Sequence, residues 1–288
     1  MNLLVARARR TSEYMALALF AGIIILFLQL FIVTEDIISN LYLRRIAGIV
    51  FGTARLYVPA IIFTHTQKVA GAEPIKISSM EGFSVKNKIT LSFAAFAFIF
   101  AFGLLYSAAF PSAASTFSDN DIFSLILTLI GSVLVPALFE ELLYRKILCA
   151  ELTLHGRVFA SIISALLFGL AHFSFYTFPY AFICGLVLAF VYLKTGSVRY
   201  TVVIHFANNL FGYICAYIST KMTPLDYGNA IMLLVIALGV LSVGAFCTLF
   251  PDMKKEPFED VRLGAPSSVF LSFPMIVYII CAALMNFI

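Results

Sequence analysis

The chain has 288 residues, of which 62% are hydrophobic and 12% charged, and its mean hydropathy is +1.01. Soluble domains seldom exceed about half apolar residues, so a soluble protein with a large core is excluded and an integral membrane protein is indicated. The net charge of +4 is accounted for by Lys and Arg in cytoplasmic loops and does not call for a nucleic-acid partner.

The basic stretch ARARR at residues 6–10 precedes an apolar run from Tyr14 to Val33. That run is longer than the roughly 7–15 residues of a signal-peptide core, and no A-x-A-like site follows, so it reads as a retained first span. A bilayer core of about 30 Å needs roughly 20 apolar residues in a helix. Runs of this kind occupy 14–34, 89–110, 122–142, 158–176, 178–194, 199–219, 229–250 and 266–287. A ninth, 46–64, carries Arg55 at its centre. The fold class is therefore all-α, a polytopic transmembrane bundle of eight or nine spans.

Lys and Arg asymmetry orients the bundle. With nine spans and a cytoplasmic N-terminus, fifteen of these residues fall inside and three, Arg44, Arg45 and Lys221, outside. The loops 65–88 and 251–264 then lie in the cytoplasm and are too short to be domains. If 46–64 only lies in the interface, eight spans remain. Cys149, Cys184, Cys215, Cys247 and Cys281 are scattered singly with no C-x-x-C, so neither a disulfide framework nor a zinc knuckle is expected. The organisation expected is accessory spans and a loop over 1–120, a core over 121–220 and further accessory spans over 221–288.

Three polar clusters interrupt the apolar runs, where each ionisable group costs at least about 2.5–3.5 kcal/mol near the membrane centre. The first is FEELLYRKIL, residues 139–148. At about 100° per residue, Arg145 lies about 40° round from Glu141 and the two can pair, while Glu140 is turned about 140° away. Glu140 is thus left without a local cation, as suits a general base. The second is LLFGLAHFSF, where Phe168 and His172 stand four residues apart. The third is VVIHFANNLFG, where His205 and Asn209 do the same, with Asn208 beside them.

Each cluster alone has an ordinary structural reading, as a snorkelling helix end, a packing histidine or interhelical hydrogen-bond glue. Together they supply a carboxylate, two imidazoles and an amide on neighbouring spans. Such a set can activate water for attack on a carbonyl and stabilise the oxyanion. Other chemistries lack their parts. Each His is followed by Thr, Gly or Phe, so no H-E-x-x-H zinc motif exists, and no nucleophile elbow or P-loop appears.

In this order the motifs resemble the CAAX protease and bacteriocin-processing (CPBP, or Abi) family of intramembrane proteases. The family pattern E-E-x-x-x-R, F-x-x-x-H and H-x-x-x-N is met by Glu140, Glu141 and Arg145, then Phe168 and His172, then His205 and Asn209. The resemblance covers about 120–220. It implies that Glu140 and His172 activate the attacking water, that His205 and Asn209 form the oxyanion site, and that Glu141, Arg145 and Phe168 support them. It leaves a cofactor open. Glu140, His172 and His205 are ligand types for a divalent metal such as zinc, but they also suffice for metal-free general-base catalysis, which is the reading adopted.

The implied activity is an intramembrane endopeptidase cutting near the cytoplasmic face of a bacterial or archaeal plasma membrane. A water-filled cavity open to that face is expected. The implied partners are a peptide or protein substrate, with lipidated tails among the candidates, and membrane lipid, without nucleic acid. A non-catalytic scaffold or bacteriocin-immunity protein on the same fold is the alternative, and a proton-coupled transporter a third reading, although no inverted repeat is evident.

Overall fold

The computed structural model describes residues 3–110, 121–255 and 270–287. Among them the chain forms nine helical stretches and no strand. These are α1 (Leu3–Ile32), α2 (Leu41–Val69), α3 (Val85–Ala109), α4 (Ile122–His155), α5 (Arg157–Leu170), α6 (Phe178–Thr195), α7 (Val198–Ser219), α8 (Pro224–Lys255) and α9 (Phe273–Met285). Every apolar run read from the sequence has a helix, although the start of 266–287 and most of the loop 251–264 lie outside the described residues.

Seven helices are long and apolar enough to cross a membrane, and α2 is one of them despite Arg55. Gly22 of α1 makes room for that residue, since a Cβ there would stand 3.0 Å from the Arg55 carbonyl oxygen. Arg55 also borders a small gap shared with Tyr144 and Tyr278. The expectation of eight or nine full spans meets a limit at α5 and α9, with 14 and 13 residues. At about 1.5 Å per residue they reach only about 20 Å. Gly156 starts α5 with φ 110°, and the chain turns at Ala171 and His172 at its other end.

α4 is not uniform. Two stretches, Leu129–Leu134 and Glu141–Cys149, are π-helical. Pro136 follows the first and cannot donate to the carbonyl four residues back, which disrupts the regular ladder there. The second begins at Glu141 and carries the charged cluster.

Contacts at the helix ends define two poles. At one, Arg7 of α1 meets Glu151 of α4, and Asn87 of α3 meets Asp252 of α8. At the other, Tyr42 of α2 meets Asp121 ahead of α4, and the Tyr106 hydroxyl of α3 donates to the Tyr176 carbonyl ahead of α6. The first pole, which also carries Lys68, Lys146 and Arg199, is called here the basic pole. Two apolar clusters fill the bundle. Met15, Phe63, Leu148, Leu167 and Tyr278 anchor one, and Leu91, Ile99, Leu188 and Ile204 the other.

α5 and α6 pack closest at Gly185, where a Cβ would lie 3.0 Å from the Cα of Ala165 and 3.2 Å from Phe168. Both neighbours are buried, and backbone cannot yield as a flexible side chain would. Gly185→Leu is therefore expected to cost about 1–3 kcal/mol or more, measured as a lower thermal unfolding midpoint of the purified protein.

Candidate active site

The buried carboxylate of Glu141 joins two helices. His205 of α7 donates from Nδ1 to Glu141 Oε1 at 2.9 Å, because a carboxylate can only accept. Arg145 brings Nε to 3.3 Å from the other oxygen, four residues on as the spacing predicts. Glu141 and Arg145 are both 0% exposed. The Arg145 guanidinium makes no hydrogen bond among the described residues. Its second neighbour is the ring of Phe168, with Cζ 4.3 Å from the ring centre, so the π face attracts the charge.

Phe168 holds more than that cation. Its ring stands edge-on to Tyr144 at 5.3 Å, His172 at 4.9 Å and His205 at 6.0 Å. His172 lies just past the end of α5, and its Nδ1 is 2.9 Å from the Phe168 carbonyl oxygen. A carbonyl can only accept, so Nδ1 carries the proton and Nε2 is free to accept in the neutral ring.

The spacing argument places Glu140 apart from the Glu141 pair and facing His172. Glu140 does lack an Arg145 contact, but its Oε2 approaches Nε2 of His205 at 3.9 Å. The two adjacent carboxylates thus straddle one imidazole. The divergence of adjacent side chains is kept, because they approach opposite nitrogens of the ring, Glu141 at Nδ1 and Glu140 at Nε2.

Glu140, His172, His205 and Asn209 line one cavity of about 770 Å³. It does not run toward the basic pole, as expected, but toward Tyr106, Tyr176 and Tyr227 at the opposite one. The chain order explains this. Glu140 precedes Arg145 on α4, which runs toward the basic pole, and Asn209 follows Arg199 on α7, which runs away from it.

Several contributors carried no sequence signal. Asn286, just past α9, donates to the Leu170 carbonyl at 3.0 Å and accepts from Ser174 N–H at 2.8 Å. Its own carbonyl accepts from Phe175 N–H at 2.9 Å. It thereby clamps the turn containing His172 and Phe173, whose φ of 48° is a left-handed conformation costing about 1–2 kcal/mol. Tyr180 hydrogen-bonds Asn208 at 2.9 Å, which engages one amide of the Asn208–Asn209 pair, and all three residues line the cavity. No local spacing links residues so far apart in the chain.

Among the described residues, no three His, Cys, Asp or Glu side chains group tightly enough to hold a metal ion. The ligand set Glu140, His172 and His205 therefore does not fit a metal in this geometry.

Residues 122–211 match the Rce1-like family. Its description is type II CAAX prenyl endopeptidase Rce1-like, and the matched stretch contains every motif residue from Glu140 to Asn209. This agrees with the CPBP resemblance carried by the motifs. No curated protein and no solved structure matches the chain. With its seven long apolar helices, the chain is an integral multi-pass membrane protein.

Arg145→Met removes the guanidinium beside Glu141 Oε2 and leaves that buried carboxylate with His205 alone; it is expected to destabilise the fold by about 3 kcal/mol, and Glu141→Gln in addition should restore part of the loss; thermal unfolding of both variants measures this. The cavity direction is also testable. Cys215 lines the cavity, so membrane-impermeant maleimide should reach it from one side and a cysteine replacing Lys76, at the basic pole, from the other. Labelling of both from the same side would contradict the geometry.

Proposed function

We propose that the chain is an intramembrane endopeptidase in which Glu140 and His172 activate water while His205 and Asn209 stabilise the oxyanion. The observation that carries this reading is the convergence of all four side chains on one cavity, with His205 held from below by Glu141. Glu140 takes a proton from the water as its oxygen attacks the peptide carbonyl. The free Nε2 of His172 accepts a hydrogen bond from the second water proton and orients the attack. Asn209 donates from its amide to the oxyanion, and the imidazolium form of His205, with Nδ1 on Glu141, adds a second donor at Nε2. Collapse breaks the C–N bond, and Glu140 returns its proton to the leaving amine.

The family description names a CAAX prenyl endopeptidase, so a prenylated C-terminal peptide is the first substrate class for this chain. The aromatic walls from Phe100 and Tyr106 to Tyr227 suit apolar side chains and a lipid tail. A bacteriocin leader or membrane-protein tail would use the same chemistry.

Purified protein is expected to cleave a prenylated CAAX peptide, and Glu140→Gln and His172→Ala each to lower kcat/KM by about 10²–10⁴-fold at an unchanged unfolding midpoint. Wild-type rates in both variants would sink the enzyme reading and leave a membrane scaffold.

A further inference from the structure

A second cavity, of about 920 Å³, shares no lining residue with the first. Its volume lies within the roughly 300–1,000 Å³ of ligand sites. It sits at the basic pole, where the end of α2, the connection after it, α4 and the start of α7 meet. Four cations line it, Lys68, Lys76, Lys146 and Arg199. All four are exposed, and none has an ion pair or side-chain hydrogen bond among the described residues.

Two carboxylates share the wall, and one is already engaged. Glu151 pairs with Arg7 at 3.4 Å and accepts from Ile75 N–H at 3.3 Å. That sets Glu73 against four cations, so the cavity is strongly positive. The apolar lining lies deeper. Phe63 and Leu142 stand about one helical turn further into the bundle than Lys68 and Lys146, and Ile147 and Val198 complete that wall.

Positive rim and apolar interior, set between the ends of spanning helices, match one chemistry. A soluble phosphate compound would gain nothing from the apolar wall, and a neutral lipid nothing from the four cations. We propose that this cavity binds an anionic phospholipid, with the phosphate among Lys68, Lys146 and Arg199 and the start of an acyl chain against Phe63 and Leu142. Basic pockets between transmembrane helices recognise acidic lipid headgroups by this combination. The site is independent of the peptidase reading, and binding is measured without substrate.

The test uses the purified full chain, stripped of lipid in neutral detergent. It is titrated with phosphatidylglycerol, phosphatidylcholine and glycerol 3-phosphate and read by native mass spectrometry. Saturable binding of phosphatidylglycerol alone is expected. Lys68→Gln with Lys146→Gln should weaken it roughly 30-fold, given about a tenfold change per 1.4 kcal/mol and about 1 kcal/mol per charge. Lys86→Gln with Lys88→Gln removes the same charge outside the cavity and should change binding less than about threefold. Ile147→Trp fills the apolar wall without touching charge and should also weaken binding, which keeps the test decisive if the charge variant fails to fold. Equal binding of phosphatidylcholine, binding of glycerol 3-phosphate as tight as the lipid, or equal losses in both double-lysine variants would overturn the proposal.

Discussion

One buried carboxylate organises the centre of this molecule. Glu141 receives His205 on one oxygen and Arg145 near the other, with neither Glu141 nor Arg145 exposed. A charge taken out of water costs several kcal/mol unless it is paired, and here each charge has an opposite one within contact distance. α4 and α7 are thereby fixed to each other at the level of the cavity floor. Phe168 adds α5 to the same junction, because its ring covers the guanidinium and its carbonyl sets the protonated nitrogen of His172. Three helices thus meet through one anion, one cation and one ring.

The irregularity of α4 lies at this junction. Adjacent side chains on a helix diverge by about 100°, and Glu140 and Glu141 reach the imidazole from different sides, one toward each ring nitrogen, where the π-helical stretch begins. The strained backbone at Phe173 is a second departure from regularity. It persists because Asn286 satisfies the surrounding turn from a distant helix. Each departure follows directly on a residue that lines the cavity, Glu140 or His172, and α5 packs closely on α6 at Gly185.

Much of this was legible in the residues. Apolar runs locate the nine helices of the described residues, and the four-residue spacing finds the Glu141–Arg145 pair and the Phe168–His172 contact. What the sequence withheld has physical reasons. Hydropathy does not report that Gly156 and the turn at His172 truncate α5, nor that a π-helical stretch begins at Glu141. Glu140 has no Arg145 contact and lines the cavity with His172, but spacing within one helix cannot show that His205 of α7 stands between the two glutamates. Arg55 weakens the case for a span at 46–64 when charge alone is counted, yet the helix over 41–69 is long and apolar enough to cross a membrane. The cavity direction was inferred from where the nearest charges lie, although Glu140 and Asn209 both sit on the inner side of those charges. Asn286 and Tyr180 act across the chain, where periodicity carries no information.

Arg145 has a consequence for how the site responds to its surroundings. Its guanidinium is fully buried and borders neither cavity. Mobile ions screen exposed charges over about 10 Å at ordinary ionic strength but reach buried ones far less. The field that Arg145 and Glu141 impose on His205 is therefore a fixed property of the fold, unchanged by buffer composition. Ionic strength would act at the basic pole and leave the electrostatics of the cavity floor as they are.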